Sequence, residues 1–181
     1  MIQGEIWQAG AGGKFAMASL LSTVGLVALQ AAASPTSIKL AIFDFELEDS
    51  SASASSTVSA DTMYLTSVTN DVRELFERSG RYIPVDGSIA DADSARAHML
   101  HDCNVCAAAI ARLLGADQSF VGLVRRVSRT EYTVRFEIRD ARTGIIISDG
   151  DSGLRMGADY SWSRGAVRLI KDRLLERGDQ Q

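Results

Sequence analysis

The sequence predicts a layered α/β (α+β) domain. A mixed sheet of about five strands packs against about three helices in the order β-α-β-α-β-β-β-α. Three observations predict it. Apolar residues recur at helical spacing in three separate stretches. Strand-length runs, alternating or continuously apolar, lie between and after them. Two short hairpin turns near the C-terminus make the last strands antiparallel, and such an order packs helices onto a mixed sheet.

Residues 1–33 stand apart from that domain. Lys14 precedes an uncharged apolar run from Phe15 to Leu29, and Ala31-Ala32-Ala33 then leads into Ser34-Pro35. This is the pattern of a secretory signal peptide cut after Ala33. The run has 15 residues, whereas a membrane span needs about 20, so no membrane insertion is expected after cleavage. The stretch before the run is long for a leader and carries Glu5 as well as Lys14. Residues 34–181 are the size of a single domain with one core, and the periplasm is the expected compartment. A net charge of −4 offers no electrostatic case for nucleic acid.

Within the mature chain, Ile38 to Leu47 reads as the first strand, with Phe43, Phe45 and Leu47 alternating with Asp44 and Glu46. Glu48 to Ser59 has little to bury and reads as a loop. Asp61 is placed to cap a helix whose apolar face is Leu65, Val68, Val72, Leu75 and Phe76, with Gly80 just past its end. Arg81 to Val85 follows as a short strand, assigned to a sheet edge because Pro84 lacks an N–H donor. Residues 86–101 are polar, and a loop is expected there. Asp102 is then read as the cap of a second helix, Cys103 to Leu114, closed by Gly115.

Phe120 to Val124 is continuously apolar, as in a central strand covered on both faces. Tyr132 to Ile138 alternates, with Tyr132, Val134, Phe136 and Ile138 inward. Ser128–Glu131 and Asp140–Gly144 form the hairpin turns, and Ile145 to Ser148 begins the last strand. Trp162 to Glu176 closes the order as an amphipathic helix.

The chemistry-bearing residues concentrate in one stretch. Cys103 and Cys106 are the two cysteines of the chain, and an oxidising compartment makes a disulfide between them the first expectation. Their spacing also suits a redox pair, although Asn104-Val105 stands between them and no strand leads directly into the motif. A further alternative joins His98 and His101 to both thiols as a zinc or copper site. Against it, zinc sites usually draw two ligand pairs from well-separated segments, and this site needs reduced thiols.

No catalytic residue is assigned. Gly150-Asp151-Ser152-Gly153 is spelled like a serine-protease nucleophile region, but no histidine lies in a matching context and the stretch reads as a polar turn. Gly10-Ala11-Gly12-Gly13-Lys14 lacks a hydroxyl residue after the lysine and a preceding strand, so no phosphate loop and no cofactor is inferred. Asp44, Glu46, Glu48 and Asp49 could bind a hard cation such as calcium, but no glycine-bearing calcium loop accompanies them and they read as a solvated strand end. Arg126, Arg135, Arg139 and Trp162 are the candidates for an interaction surface. Cross-strand pairing with Glu131, Glu137 and Asp140 is the ordinary alternative for the arginines, and core burial for Trp162.

A resemblance is carried by Cys103-Asn104-x-Cys106, Ala111-Arg112-Leu113-Leu114-Gly115-Ala116-Asp117 and Val121-Gly122-x-Val124-x-x-Val127-Ser128. Arg139-Asp140-x-x-Thr143-Gly144 and Ser161-Trp162-x-Arg164-Gly165 complete it. In these residues the chain resembles a family of exported proteobacterial proteins, the domain of unknown function 3280, also labelled 2380. Its members often neighbour genes for periplasmic quinoprotein alcohol oxidation. The element order is also similar to the TolB N-terminal domain and to the periplasmic domain of the curli secretion protein CsgG. Those resemblances imply a fold, and among the relatives envelope binding or assembly roles, but fold alone does not carry activity across. The implied function is a non-enzymatic periplasmic binding or accessory protein whose partner is another periplasmic or envelope protein. The alternative is a thiol-based redox accessory or metal-binding protein using His98 to Cys106.

Overall fold

The computed structural model describes residues 37–51, 58–89, 99–103 and 105–176. The predicted leader and His98 lie outside them. β1 (Ile38–Ile42) is the first strand. The predicted strand through Leu47 is in fact broken, and β2 (Glu46–Asp49) starts anew after Phe43-Asp44-Phe45. The break has a side-chain cause. The Phe45 amide leaves the sheet and donates to the Thr69 hydroxyl at 2.9 Å. The Phe45 ring lies flat over Gly122, where any Cβ would overlap it. Phe43 and Phe45 thereby enter opposite cores instead of sharing one face.

α1 (Val58–Arg78) begins before Asp61, which lies in its first turn and not at the cap position read from the sequence. Gly80 adopts φ 66°, the left-handed closing geometry that glycine tolerates best. β3 (Tyr82–Asp86) is an edge strand, as Pro84 requires. Single 3-10 turns follow at Gly87–Ile89 and Leu100–Asp102. α2 (Cys106–Leu113) is shorter than predicted and begins without side-chain capping. Asp102 ends the preceding 3-10 turn, and extended backbone at Cys103 separates that turn from the helix.

β4 (Gln118–Ser128) and β5 (Glu131–Asp140) form a long hairpin. β6 (Ile146–Asp151) pairs with β5 along one stretch, and the two-residue β7 (Arg155–Met156) pairs with it near the hairpin turn. After a 3-10 turn at Asp159–Ser161, α3 (Trp162–Ile170) runs into a π-helical turn at Lys171–Leu175. The main strand order is β3-β1-β4-β5-β6. The pairs β1–β3, β1–β4 and β2–β4 are parallel, and the C-terminal pairs are antiparallel. Among the described residues a mixed sheet with three α-helices is therefore observed, as expected.

Alternation along the strands sends residues to two unequal cores. On one face, Leu40, Ile42, Phe120, Val124, Phe136 and Ile138 meet α1 and α3 through Val68, Val72, Phe76, Trp162 and Leu169. Phe120 stacks on Phe136 and meets Phe76 edge-on. On the other face Ala41, Ala107, Ala111, Ala116 and Ala141 make a thin layer that lets α2 sit close to the sheet. That helix is short, so among the described residues much of the β4–β5 surface beside it has no helical cover.

Candidate functional site

The uncovered part of that face is a cleft of about 600 Å³. Its floor includes Val121 and Leu123 of β4, with Arg135, Glu137 and Arg139 of β5 beside them. Glu48, His101, Asp102 and Arg125 form polar walls. The basic and acidic groups largely answer one another. Arg125 pairs with Glu48 at 2.8 Å, and Arg139 pairs with Glu137 while donating to the Gly144 carbonyl at 2.8 Å. Arg135 is exposed between them and has no ion pair among the described residues.

One wall is built from the predicted cysteine stretch. Cys103 and Cys106 form a disulfide with 5.5 Å between their Cα atoms, joining the 3-10 turn to the first residue of α2. Between them, Val105 faces the β5–β6 turn, where a Cβ on Gly144 would stand 3.1 Å from its side chain. Gly144 has φ 72°, and the Asp140 carboxylate accepts from the Arg142 and Thr143 amides and the Thr143 hydroxyl. The Cys-x-x-Cys and Asp-x-x-Thr-Gly motifs thus meet in space. Asp117 adds a third fixing point. Its carboxylate accepts from the Lys39 amide at 2.9 Å, and its carbonyl accepts from the Ala141 amide at 2.9 Å.

The metal set does not assemble among the described residues. Both sulfurs are in the disulfide, and the His101 Nδ1 lies 2.5 Å from Glu46. Glu46 also accepts from the Leu100 and His101 amides at 2.6 and 3.0 Å, so a β2 carboxylate caps the 3-10 turn. Of the acidic stretch expected as a solvated strand end, Asp44 is exposed, whereas the others are engaged: Glu46 on this turn, Glu48 on Arg125 and Asp49 on Arg126.

Two predicted surface residues are internal. Trp162 is 0 % exposed and Arg126 5 %. The Arg126 guanidinium meets Asp49 at 2.7 Å, Asp159 at 2.9 Å and Asp61, and lies 5.0 Å from the centre of the Trp162 ring. Arg126 shares a face with Gly122 and Val124, so strand alternation aims it into the aromatic core instead of at solvent. Burial opposes its charge, but the hydrogen bonds it donates to Asp61 and Asp49 and the charge of Asp159 outweigh this and raise its pKa further. For Asp49, burial favours the neutral acid, yet hydrogen bonds from Ser51 and Arg126 hold the carboxyl below its ordinary range. Burial is likewise overcome at Asp86 by Ser88 and Arg73. Asp140 is lowered by its Thr143 hydrogen bonds.

These shifts fix a pH dependence. A carboxyl whose folded pKa is depressed stabilises the fold above its unfolded pKa, and that stability is lost as pH falls through the folded value. The melting temperature is expected to hold from pH 7 to about 5 and to fall below about 4. A melting temperature that rises on acidification would contradict the assignment.

Periodicity in the sequence does not point to the β6 edge. Ile145, Ile146 and Ile147 are 66 %, 44 % and 51 % exposed. Among the described residues no strand pairs with the outer side of β6. The available signal is three successive isoleucines, which by themselves mark only the start of a strand. The opposite edge, β3, carries Pro84, which blunts strand addition. The β6 edge has no proline or lysine, and its far end carries Asp149 and Asp151.

Residues 38–174 match the model of a family described as "Protein of unknown function (DUF2380)". It is the family indicated by the cysteine and glycine motifs. No curated protein matches the chain. Among solved structures, the chain is similar to the LpoB C-terminal domain from Salmonella enterica. The match has 18% identity and a TM-score of 0.46, and covers 71% of this chain and 89% of that one. It is also similar to a PelC dodecamer from Paraburkholderia phytofirmans, at 16% identity and TM-score 0.45 over 76% and 86%. TolB from Acinetobacter baumannii matches at 13% identity and TM-score 0.40 over 75% of this chain and 29% of that one.

Proposed function

Starting from the fact that this chain belongs to the DUF3280 family, we propose that it is a non-enzymatic binding module of the periplasm that grips another exported protein along the edge of β6. The observation that carries this reading is the run of three exposed isoleucines at the start of an edge strand that has no proline or lysine, with the register shifted at Ile147. A free edge offers a row of backbone donors and acceptors, and apolar side chains on it favour strand addition. The matching partner segment is extended, with β-branched or aromatic residues against Ile145–Ile147 and a basic residue near Asp149 and Asp151. The mixed-charge cleft beside the edge receives side chains of the same segment, with Arg135 available for an acidic one.

A photo-crosslinking residue placed at position 147 of the full chain, expressed in cells, tests this. A discrete adduct with one exported protein is expected, lost on Ile146→Lys and absent when the probe stands at Glu74 on the α1 side. Equal labelling from both positions would sink the proposal. Ile146 is exposed, so the lysine variant should change stability by no more than about 0.5 kcal/mol.

In this reading the Cys103–Cys106 disulfide is structural, holding the turn that walls the cleft. Such a short loop is worth about 2 kcal/mol by the chain-entropy relation. Cys103→Ser with Cys106→Ser is expected to lower the melting temperature by roughly 4–8 °C while partner capture persists. Complete loss of capture in a still-folded double variant would favour a working thiol pair.

A further inference from the structure

On the far side of the hairpin, β7 and α3 line a second, open cavity of about 420 Å³. Arg155, Arg164 and Arg168 line it, and no acidic residue does. Three guanidiniums around one hollow stand out in a chain whose net charge is −4. Arg155 and Arg164 make no ion pair among the described residues, and the buried Arg155 Nε has no hydrogen-bond partner there. Arg168 has only a long, exposed contact with Asp172 at 3.7 Å. Close pairing with a carboxylate, which accounts for Arg125 and Arg139, is missing here.

The remaining lining fits a ligand with two characters. Gly165 lets α3 pack closely on the buried phenol of Tyr132, since a Cβ there would stand 3.0 Å from the Tyr132 hydroxyl. That hydroxyl is already held by Ser161, donating to its carbonyl at 3.2 Å. The apolar residues Leu154 and Met156 border the same cavity and are 60 % and 73 % exposed. Arg164 and Arg168 stand on the α3 side, and Arg155 lies on the β7 side between Leu154 and Met156.

We propose that this cavity binds a phosphoryl group bearing an apolar substituent, with the oxygens among Arg155, Arg164 and Arg168 and the substituent on Leu154 and Met156. Several guanidinium forks suit the tetrahedrally disposed oxygens of a phosphoryl group better than the two coplanar oxygens of a carboxylate. The site is separate from the β6 edge, so its failure and that of the partner-binding reading are distinguishable.

The test is calorimetric titration of the mature chain with hexyl phosphate and with inorganic phosphate, followed by flotation with phosphatidylcholine vesicles with and without phosphatidylglycerol. Hexyl phosphate is expected to bind saturably and more tightly than inorganic phosphate. Arg164→Gln with Arg168→Gln is expected to weaken it by about tenfold or more, equivalent to losing one charge-assisted contact. Both arginines are exposed, so an unchanged melting curve is expected for this variant. Leu154→Ser with Met156→Ser should weaken hexyl phosphate and leave inorganic phosphate unchanged. Arginine-dependent flotation with phosphatidylglycerol would identify a lipid headgroup as the source, and binding of hexyl phosphate without flotation a soluble phosphoester. No saturable binding of any probe, or binding that survives the arginine double variant, overturns the proposal.

Discussion

Replacing Arg126 with methionine is expected to destabilise the fold by roughly 3–5 kcal/mol, the cost of leaving buried charge without its partner. The side chain links three segments distant in sequence: β2 through Asp49, α1 through Asp61 and the turn before α3 through Asp159. Methionine keeps much of the volume over Trp162, so the loss is electrostatic more than steric. The carboxylates it leaves behind stand on partly buried ground and repel one another. Urea denaturation of wild type and variant measures the difference. Arg125→Ala is the control, because its half-exposed pair with Glu48 is worth about 0–1 kcal/mol. Similar losses for the two variants would mean that the internal cluster has no special weight. The Arg126→Met variant should also tolerate mild acid relatively better than wild type, since protonating Asp49 no longer breaks a contact with the guanidinium.

Trp162→Ala is expected to cost a comparable 3–5 kcal/mol, whereas Trp162→Phe should cost about 1–2 kcal/mol. Trp162 is among the largest fully buried side chains, meets Tyr64 edge-on and presents its ring to Arg126. Alanine removes both contacts and leaves a cavity at the junction of α1, α3 and the sheet. Phenylalanine retains a ring for Tyr64 and Arg126. The indole N–H is buried without a hydrogen-bond partner among the described residues, so its removal carries no hydrogen-bond penalty. Equal destabilisation by the two substitutions would show that the N–H matters and that the ring packing has been overvalued. Because Arg126 and Trp162 touch, their effects should not add, and the double variant measures their coupling directly.

How far these features are legible in the sequence follows from the kind of interaction each uses. Gly80, Gly115 and Gly144 mark element ends in the sequence and all have positive φ in the structure. The inward alternation of β5 is equally legible, because its pattern is local. The break between β1 and β2 is not, since it depends on Thr69 and Gly122, at a distance in sequence from Phe45. The internal position of Arg126 is hidden for the same reason. Nothing near residue 126 announces that carboxylates at 49, 61 and 159 will converge on it. An arginine in a strand is ordinarily a surface residue, and only assembly of the sheet reverses that expectation. The cysteine pair is legible as a staple from compartment and composition, but its contact with the Gly144 turn requires the fold.

The inequality of the two cores has a dynamic consequence. α1 and α3 are held by large aromatic and aliphatic side chains, while α2 rests mainly on methyl groups. Opening free energy rises with the apolar surface that opening exposes to water, so the α2 side should detach from the sheet well below the free energy of global unfolding. Its amides should exchange with solvent deuterium through that sub-global opening, and those of β4 only when the whole domain comes apart. The face that borders the cleft is then the pliant half of the molecule, and the face behind it is the rigid frame against which it moves.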